Sequence, residues 1–176
     1  MSTLYIERSV GDARDGTWVE RMELTDVDRI VVGTGPGSFA GIRSALAFAQ
    51  GYALGTGCGV FGLPSPCALV ECEGPLAVVG DARQGKFWIA LFDGFRLVTD
   101  VFQTDRETLP YRVPVGVKVV TPDGARIDAV LKEVFGDAYA GNRVPTAEGL
   151  KRFAEANPEA LVKEPLPIYL NPAVRG

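Results

Sequence analysis

The chain has 176 residues, 47% of them apolar, and a formal net charge of −4; that length suits one domain or two small lobes around a sizeable core. The absence of histidine excludes a Ser-His-Asp triad, a His general base and a His-ligated zinc centre, and the scattered Lys and Arg residues argue against unaided nucleic-acid binding, which needs clustered cations. No apolar run approaches the roughly 20 residues that span a bilayer and the start lacks the zones of a signal peptide, so a cytoplasmic location without membrane contact is expected.

In chain order, Leu4–Glu7 and Trp18–Leu24 read as strands flanking the turn-rich GDARDG at 11–16, which predicts a first hairpin. Ile30-Val31-Val32 is a β-branched run closed by Gly33 and predicts a buried strand. The loop GTGPGSFAG, 33–41, follows directly. From 41 to 55 the spacing is helical, with Ile42, Ala45, Leu46, Ala49 and Ala53 on one face and few polar residues anywhere. Such a helix needs cover on more than one side.

Gly59–Leu63 reads as a strand and Pro64–Glu73 as a short helical turn. Leu76–Val79 and Lys86–Phe92 form a second predicted hairpin across GDARQG at 80–85, which differs from GDARDG in one letter and suggests two lobes built on one plan. Strands over 95–104 and 113–120, an amphipathic helix over 123–135 and a Thr146-capped helix to Ala156 complete the chain. Alternation of strands and helices predicts an α/β fold. Cys58, Cys67 and Cys72 lack Cys-x-x-Cys spacing and read as reduced thiols, with no disulfide and no metal site.

The glycine loop fails two tests for a phosphate cradle. A dinucleotide fingerprint needs a sixth-place glycine where this chain has Ser38, and a P-loop needs a lysine, but none precedes Lys86. Weak anion binding at the helix N-terminus through Gly35, Gly37 and Ser38 stays open beside a purely conformational role for Pro36 and the glycines. Glu7, Asp12 and Asp81 are the candidate acids, each more often a solvated or locally hydrogen-bonded residue than a metal ligand. Arg83 could meet a phosphate or a partner carboxylate, but a surface guanidinium is usually just solvated.

LTDVDRIVVGTGPGSFAGIRSALAFAQGYAL resembles the signature of the TsaB family, also called YeaZ, the glycoprotease-like subunit of the bacterial tRNA threonylcarbamoyladenosine machinery. VVGDARQGKFWIALFDG is similar to that family's Asp-Ala-Arg hairpin, PTAEGLKRFA to its Pro-Ser-Ala helix, and PLPIYLNP to its C-terminal segment. Ala40 stands where the family has Thr, and the first strand lacks the family's Asp-Thr-Ser. The long helix that precedes the Leu-Thr-Asp segment in the family is missing or shortened, and 17–24 could be its remnant rather than a strand.

The resemblance implies an actin-like, Hsp70-like (ASKHA) fold of two RNase H-like lobes, over 1–74 and 75–176, with the first lobe truncated. It further implies a non-catalytic scaffold or activator without a cofactor, binding a TsaD-like transferase and a TsaE-like ATPase, reaching tRNA only through that complex and forming at most a weak homodimer. Ile42, Arg43, Ala45, Leu46, Ala49, Gln50, Tyr52 and Ala53 are the expected partner surface. Three alternatives stand beside this reading: an autonomous ATP-binding phosphotransferase, a protease, and a paralogue outside the tRNA pathway. The first is disfavoured by the lack of a phosphate cradle, the second by the lack of histidine.

Overall fold

A computed structural model describes residues 2–10, 27–71 and 74–170. In chain order these form β1 (Thr3–Ile6), β2 (Arg29–Gly33), α1 (Phe39–Thr56), β3 (Gly59–Leu63), β4 (Pro75–Arg83), β5 (Lys86–Asp93), β6 (Arg96–Leu97), β7 (Phe102–Asp105), α2 (Leu109–Arg112), β8 (Lys118–Thr121), α3 (Gly124–Phe135), β9 (Tyr139–Asn142), α4 (Ala147–Ala156) and β10 (Val162–Lys163). The expected turn at 11–16 and the strand or helix remnant at 17–24 lie outside the described residues. Among the described residues no helix is long and apolar enough to cross a membrane.

The described residues divide into two compact units, the first taking those up to Ala68 together with Pro145–Ile168, the second those of Leu69–Val144 with Tyr169 and Leu170. The lobe boundary expected at 74/75 puts 145–168 in the second lobe; α4 instead packs in the first unit. The reason is a close backbone approach. A Cβ on Gly149 would stand 2.0 Å from the Ala68 carbonyl oxygen, so only glycine lets α4 lie this near the 3₁₀ turn at Ser65–Leu69.

In the first unit the sheet order is β1-β2-β3-β10, with β1, β2 and β3 parallel and β10 antiparallel on β3. Ile30, Val31 and Val32 are fully buried, as a β-branched run in a doubly covered parallel strand should be. On one face Ile6, Ile30 and Val32 meet Ile42, Ala45, Leu46 and Ala49 of α1. Ser38 caps α1 by accepting from Gly41 N–H, and Gly57 ends it in the left-handed region at φ 77°. Leu150 and Phe153 of α4 are also fully buried.

The second unit is built on β6-β5-β4-β8-β9, with β7 also paired to β5. The β4–β5 hairpin is antiparallel, whereas β4–β8 and β8–β9 are parallel. Ala77, Val79, Phe87, Ile89 and Val119 form a core with Ile127 and Leu131 of α3. Where one strand is expected over 95–104, two short strands occur; both pair with β5, at Phe92–Asp93 and at Lys86–Ile89. Where a strand is expected over 113–120, residues 113–117 turn the chain after α2, and β8 begins only at Lys118. Cys58 and Cys67 are free thiols; Cys72 is outside the described residues.

Candidate functional site

Three places carry the residues that the sequence singles out. The first is the glycine loop between β2 and α1. Its backbone is already paired within the first unit: Gly35 N–H donates to Ser65 Oγ at 2.9 Å, Ser38 N–H to the Ser9 carbonyl at 2.6 Å, and Thr34 N–H to the Leu63 carbonyl at 2.8 Å. Two of the three N–H groups proposed for an anion are therefore occupied. Gly35 has φ +88°, a conformation that favours glycine, and a Cβ on Gly37 would stand 2.3 Å from the Ser9 carbonyl oxygen. The loop turns the chain and seats it on the segment after β1. An anion site at Gly35, Gly37 and Ser38 has no free donor set here.

Beneath the loop lies Glu7. Its Oε1 accepts from Ser9 N–H at 2.6 Å, and its Oε2 is inaccessible to solvent with no hydrogen-bond partner. Burial pushes the carboxyl pKa above its ordinary value, while the nearby Ser9 and Ser65 hydroxyls and the Ser9 and Arg8 amides pull it back. The residue as a whole keeps some accessible surface, yet the carboxyl group is the part that is covered. Ser9 and Ser65 escaped sequence reasoning because they meet Glu7 and Gly35 only through the fold.

The second place is the end of β4. Asp81 forms ion pairs with Arg126 Nε at 3.0 Å and with Arg83 Nη1 at 3.5 Å, and it accepts from Arg83 N–H at 2.8 Å. Asp123 accepts from Asp81 N–H at 2.9 Å and pairs with the Arg126 guanidinium. Its own N–H donates to Thr121 Oγ1 at 3.0 Å, and Gly124 N–H at the start of α3 donates to Asn142 Oδ1 at 2.9 Å. An internal cation thus stands between the two carboxylates. Arg126 and Asp123 were missed, since an amphipathic helix gives no sign that its first arginine turns back to a strand end. Asp12 lies outside the described residues, and among the described residues no group of three or more His, Cys, Asp and Glu could hold a metal ion.

The third place is α1, and here the sequence reading needs correcting. Ile42, Ala45, Leu46 and Ala49, expected to face a partner, are buried in the first unit's own core, because β1 and β2 present Ile6, Ile30 and Val32 to them. Tyr52 and Ala53 are half-buried, whereas Arg43 and Gln50 are exposed. The exposed residues of α1 are Phe39, Ala40, Arg43, Ser44, Ala47, Gln50, Gly51, Leu54, Gly55 and Thr56. Phe39 is 57% and Leu54 90% exposed, the Arg43 guanidinium lies 4.9 Å from the Phe39 ring centroid, and nothing stands within 4 Å of a Cβ on Gly51 or Gly55. A solvated helix face normally carries several charges. Between Phe39 and Thr56 the one charged residue is Arg43.

Comparison with known proteins agrees with this architecture. Residues 19–133, more than half of the chain, match the family model described as TsaD: tRNA N6-adenosine threonylcarbamoyltransferase. Uncharacterized proteins of Mycobacterium bovis and Mycobacterium tuberculosis are each 38% identical over 79 residues, which is 44% of this chain and 37% of theirs. One of Mycobacterium leprae is 37% identical over 78 residues, 43% of this chain and 22% of its own length. The matched stretch therefore spans well under half of those relatives. Among solved structures, YeaZ from Pseudomonas aeruginosa superposes with a TM-score of 0.61 at 23% identity, over 82% of this chain and 74% of that one. A Pseudomonas aeruginosa protein described as similar to peptidase YeaZ gives the same TM-score and coverage at 21% identity. The fold is accordingly the actin-like, RNase H-like α/β fold of YeaZ.

Proposed function

We propose, from the premise that this chain belongs to the TsaD family of tRNA N6-adenosine threonylcarbamoyltransferase proteins and has the YeaZ fold, that it acts in tRNA modification as a non-catalytic subunit. Its partner is a TsaD-like transferase, with a TsaE-like ATPase and tRNA joining through the assembled complex. The observation that carries the reading is the outward face of α1: an 18-residue helix with exposed Phe39 and Leu54, small residues between them and a single cation is suited to another protein rather than to water. Gly51 and Gly55 leave space for a second helix to approach closely.

The acids at the strand ends support the non-catalytic part. Glu7 is covered by the glycine loop, and Asp81 is neutralised by Arg126, so neither carboxylate is free to hold a magnesium ion in this arrangement. ATP with magnesium should leave the melting temperature of the isolated chain unchanged. A ligand at 100 times its dissociation constant would stabilise by about 2.7 kcal/mol, so a clear upward shift in a thermal melt would restore the phosphotransferase reading.

The partner reading is tested by mixing the full chain with the TsaD-like transferase of the same organism at micromolar concentration, with the TsaE-like ATPase and ATP present, on a sizing column. Co-migration is expected. Leu54→Arg should weaken the complex about thirtyfold, the equivalent of about 2 kcal/mol at an interface core, while leaving the isolated chain within about 0.5 kcal/mol of wild type, since the side chain is exposed. Independent migration of the wild-type proteins removes the partner reading.

A further inference from the structure

We propose that the uncharged carboxyl of Glu7 latches the glycine loop to the end of β1, and that loss of its proton as pH rises releases the loop together with the first turn of α1. The parts interlock around this one group. Glu7 follows Ile6, the last residue of β1, and Oε2 rests against Gly33, where a Cβ would stand 1.8 Å from it and 2.8 Å from Ser65 Oγ. Ser65 in turn grips the loop twice, accepting from Gly35 N–H at 2.9 Å and donating its own N–H to the Gly35 carbonyl at 2.8 Å. Ser9, whose amide holds Oε1, accepts from Ser38 N–H at the cap of α1.

No Lys or Arg among the described residues forms an ion pair with Glu7, so an ionised carboxylate here has only neutral donors, the Ser9 amide at Oε1 with the Ser9 and Ser65 hydroxyls and the Arg8 amide nearby, and these offset its burial only in part. That is an unfavourable environment for a charge and a tolerable one for a neutral acid. Among the described residues no cation of the neighbouring elements offsets it. The loop 33–38 has no titratable side chain, and the first turn of α1 has no acid, its Arg43 lying over the Phe39 ring. Arg8 is next in the chain, and the 3₁₀ turn brings Cys67, a thiol that burial keeps protonated. Opening the loop relieves a charged Glu7, at the cost of the hydrogen bonds to glycine and serine backbone that close it and of exposing the buried Thr34, Pro36 and Ile42.

The direction follows from the raised pKa. In the closed state the carboxyl holds its proton more tightly than in the open one, so closure is strongest below the ordinary value of 4.5 and is lost as pH rises from there to the closed-state pKa, with no further change above it. The same turn carries Phe39, so opening would also loosen one end of the partner face; that consequence rests on the partner reading above, whereas the latch does not.

Hydrogen exchange of the full chain between pH 5 and pH 8, corrected for intrinsic rates, tests it. Protection across 33–42 should fall by up to about tenfold per pH unit in the titrating interval, while β4 and β5 keep theirs. In Glu7→Gln, whose carboxamide cannot ionise, the fall should vanish. Unchanged protection in the wild type, an equal fall in β4 and β5, or the same fall in Glu7→Gln would each overturn the latch. Should Glu7→Gln not fold, a carbon-13 titration of the wild-type carboxyl decides: a Glu7 pKa at or below the ordinary carboxylate value overturns it.

Discussion

Replacing Ala49 with arginine should unfold the first unit. Ala49 is fully buried and packs with Ile30, Val32, Ile42 and Leu46 between α1 and the sheet. A guanidinium at that place either remains as an uncompensated buried charge or forces α1 off β2, and both outcomes belong to the small class of substitutions that cost about 4 kcal/mol or more. Domains of this size are stable by only about 5–15 kcal/mol in total, so the variant should lose most of its cooperative urea transition or melt far below wild type. Leu54→Arg on the opposite face of the same helix supplies the control, with a change of about 0.5 kcal/mol or less. If Ala49→Arg melts within a few degrees of wild type, α1 does not pack on the sheet by this face, and the buried and outward faces of the helix must be exchanged.

That pair of substitutions also marks where the sequence was readable and where it was not. The existence of α1, its serine cap and the β-branched strand before it follow from local signals: a β-branched run, a glycine loop and helical spacing. Which side of α1 faces the sheet does not, because a helix with Arg43 as its one charge has no polar stripe to identify the wet side. In α3 and α4 charged residues alternate with apolar ones, and both helices appear close to where the pattern puts them. The break between β6 and β7 falls in Val98-Thr99-Asp100-Val101, which contains neither glycine nor proline, so a continuous strand was the natural reading.

Contacts distant in sequence were the least legible. Nothing near Glu7 signals that Ser65 and Gly33 will enclose it, and Arg126 reaches Asp81 across a separation that no local pattern encodes. The glycine loop drew attention as a ligand cradle by composition. Its function in the fold is set instead by how closely Glu7, Arg8 and Ser9 approach it: a Cβ on Gly41 would stand 2.1 Å from the Arg8 carbonyl oxygen, so at Gly33, Gly37 and Gly41 the absence of a side chain is what admits the end of β1.

Gly149→Val should separate α4 from the first unit's core. Gly149 lies in the first turn of α4, its N–H donating to Thr146 Oγ1 at 3.0 Å, and its Cα faces the 3₁₀ turn. A Cβ there would meet the Ala68 carbonyl oxygen at 2.0 Å and the carbonyl carbon at 2.9 Å. Those are backbone atoms in a turn also fixed by Cys67 N–H donating to the Pro64 carbonyl, so they cannot swing aside as a flexible side chain would. The helix must retreat by about 1.5 Å to reach ordinary contact. That withdraws Leu150 and Phe153, both fully buried, from the surfaces they fill. Overpacking and partial loss of two apolar contacts together should cost about 3 kcal/mol, and the gain in helix propensity over glycine offsets less than 1 kcal/mol of it. Gly51→Ala in α1 provides the contrast: its Cβ meets nothing within 4 Å, so the substitution should stabilise the isolated chain by about 0.5–1 kcal/mol. Urea denaturation of the two variants beside wild type reads both signs, and a Gly149→Val variant as stable as wild type would mean that α4 does not dock against Ala68.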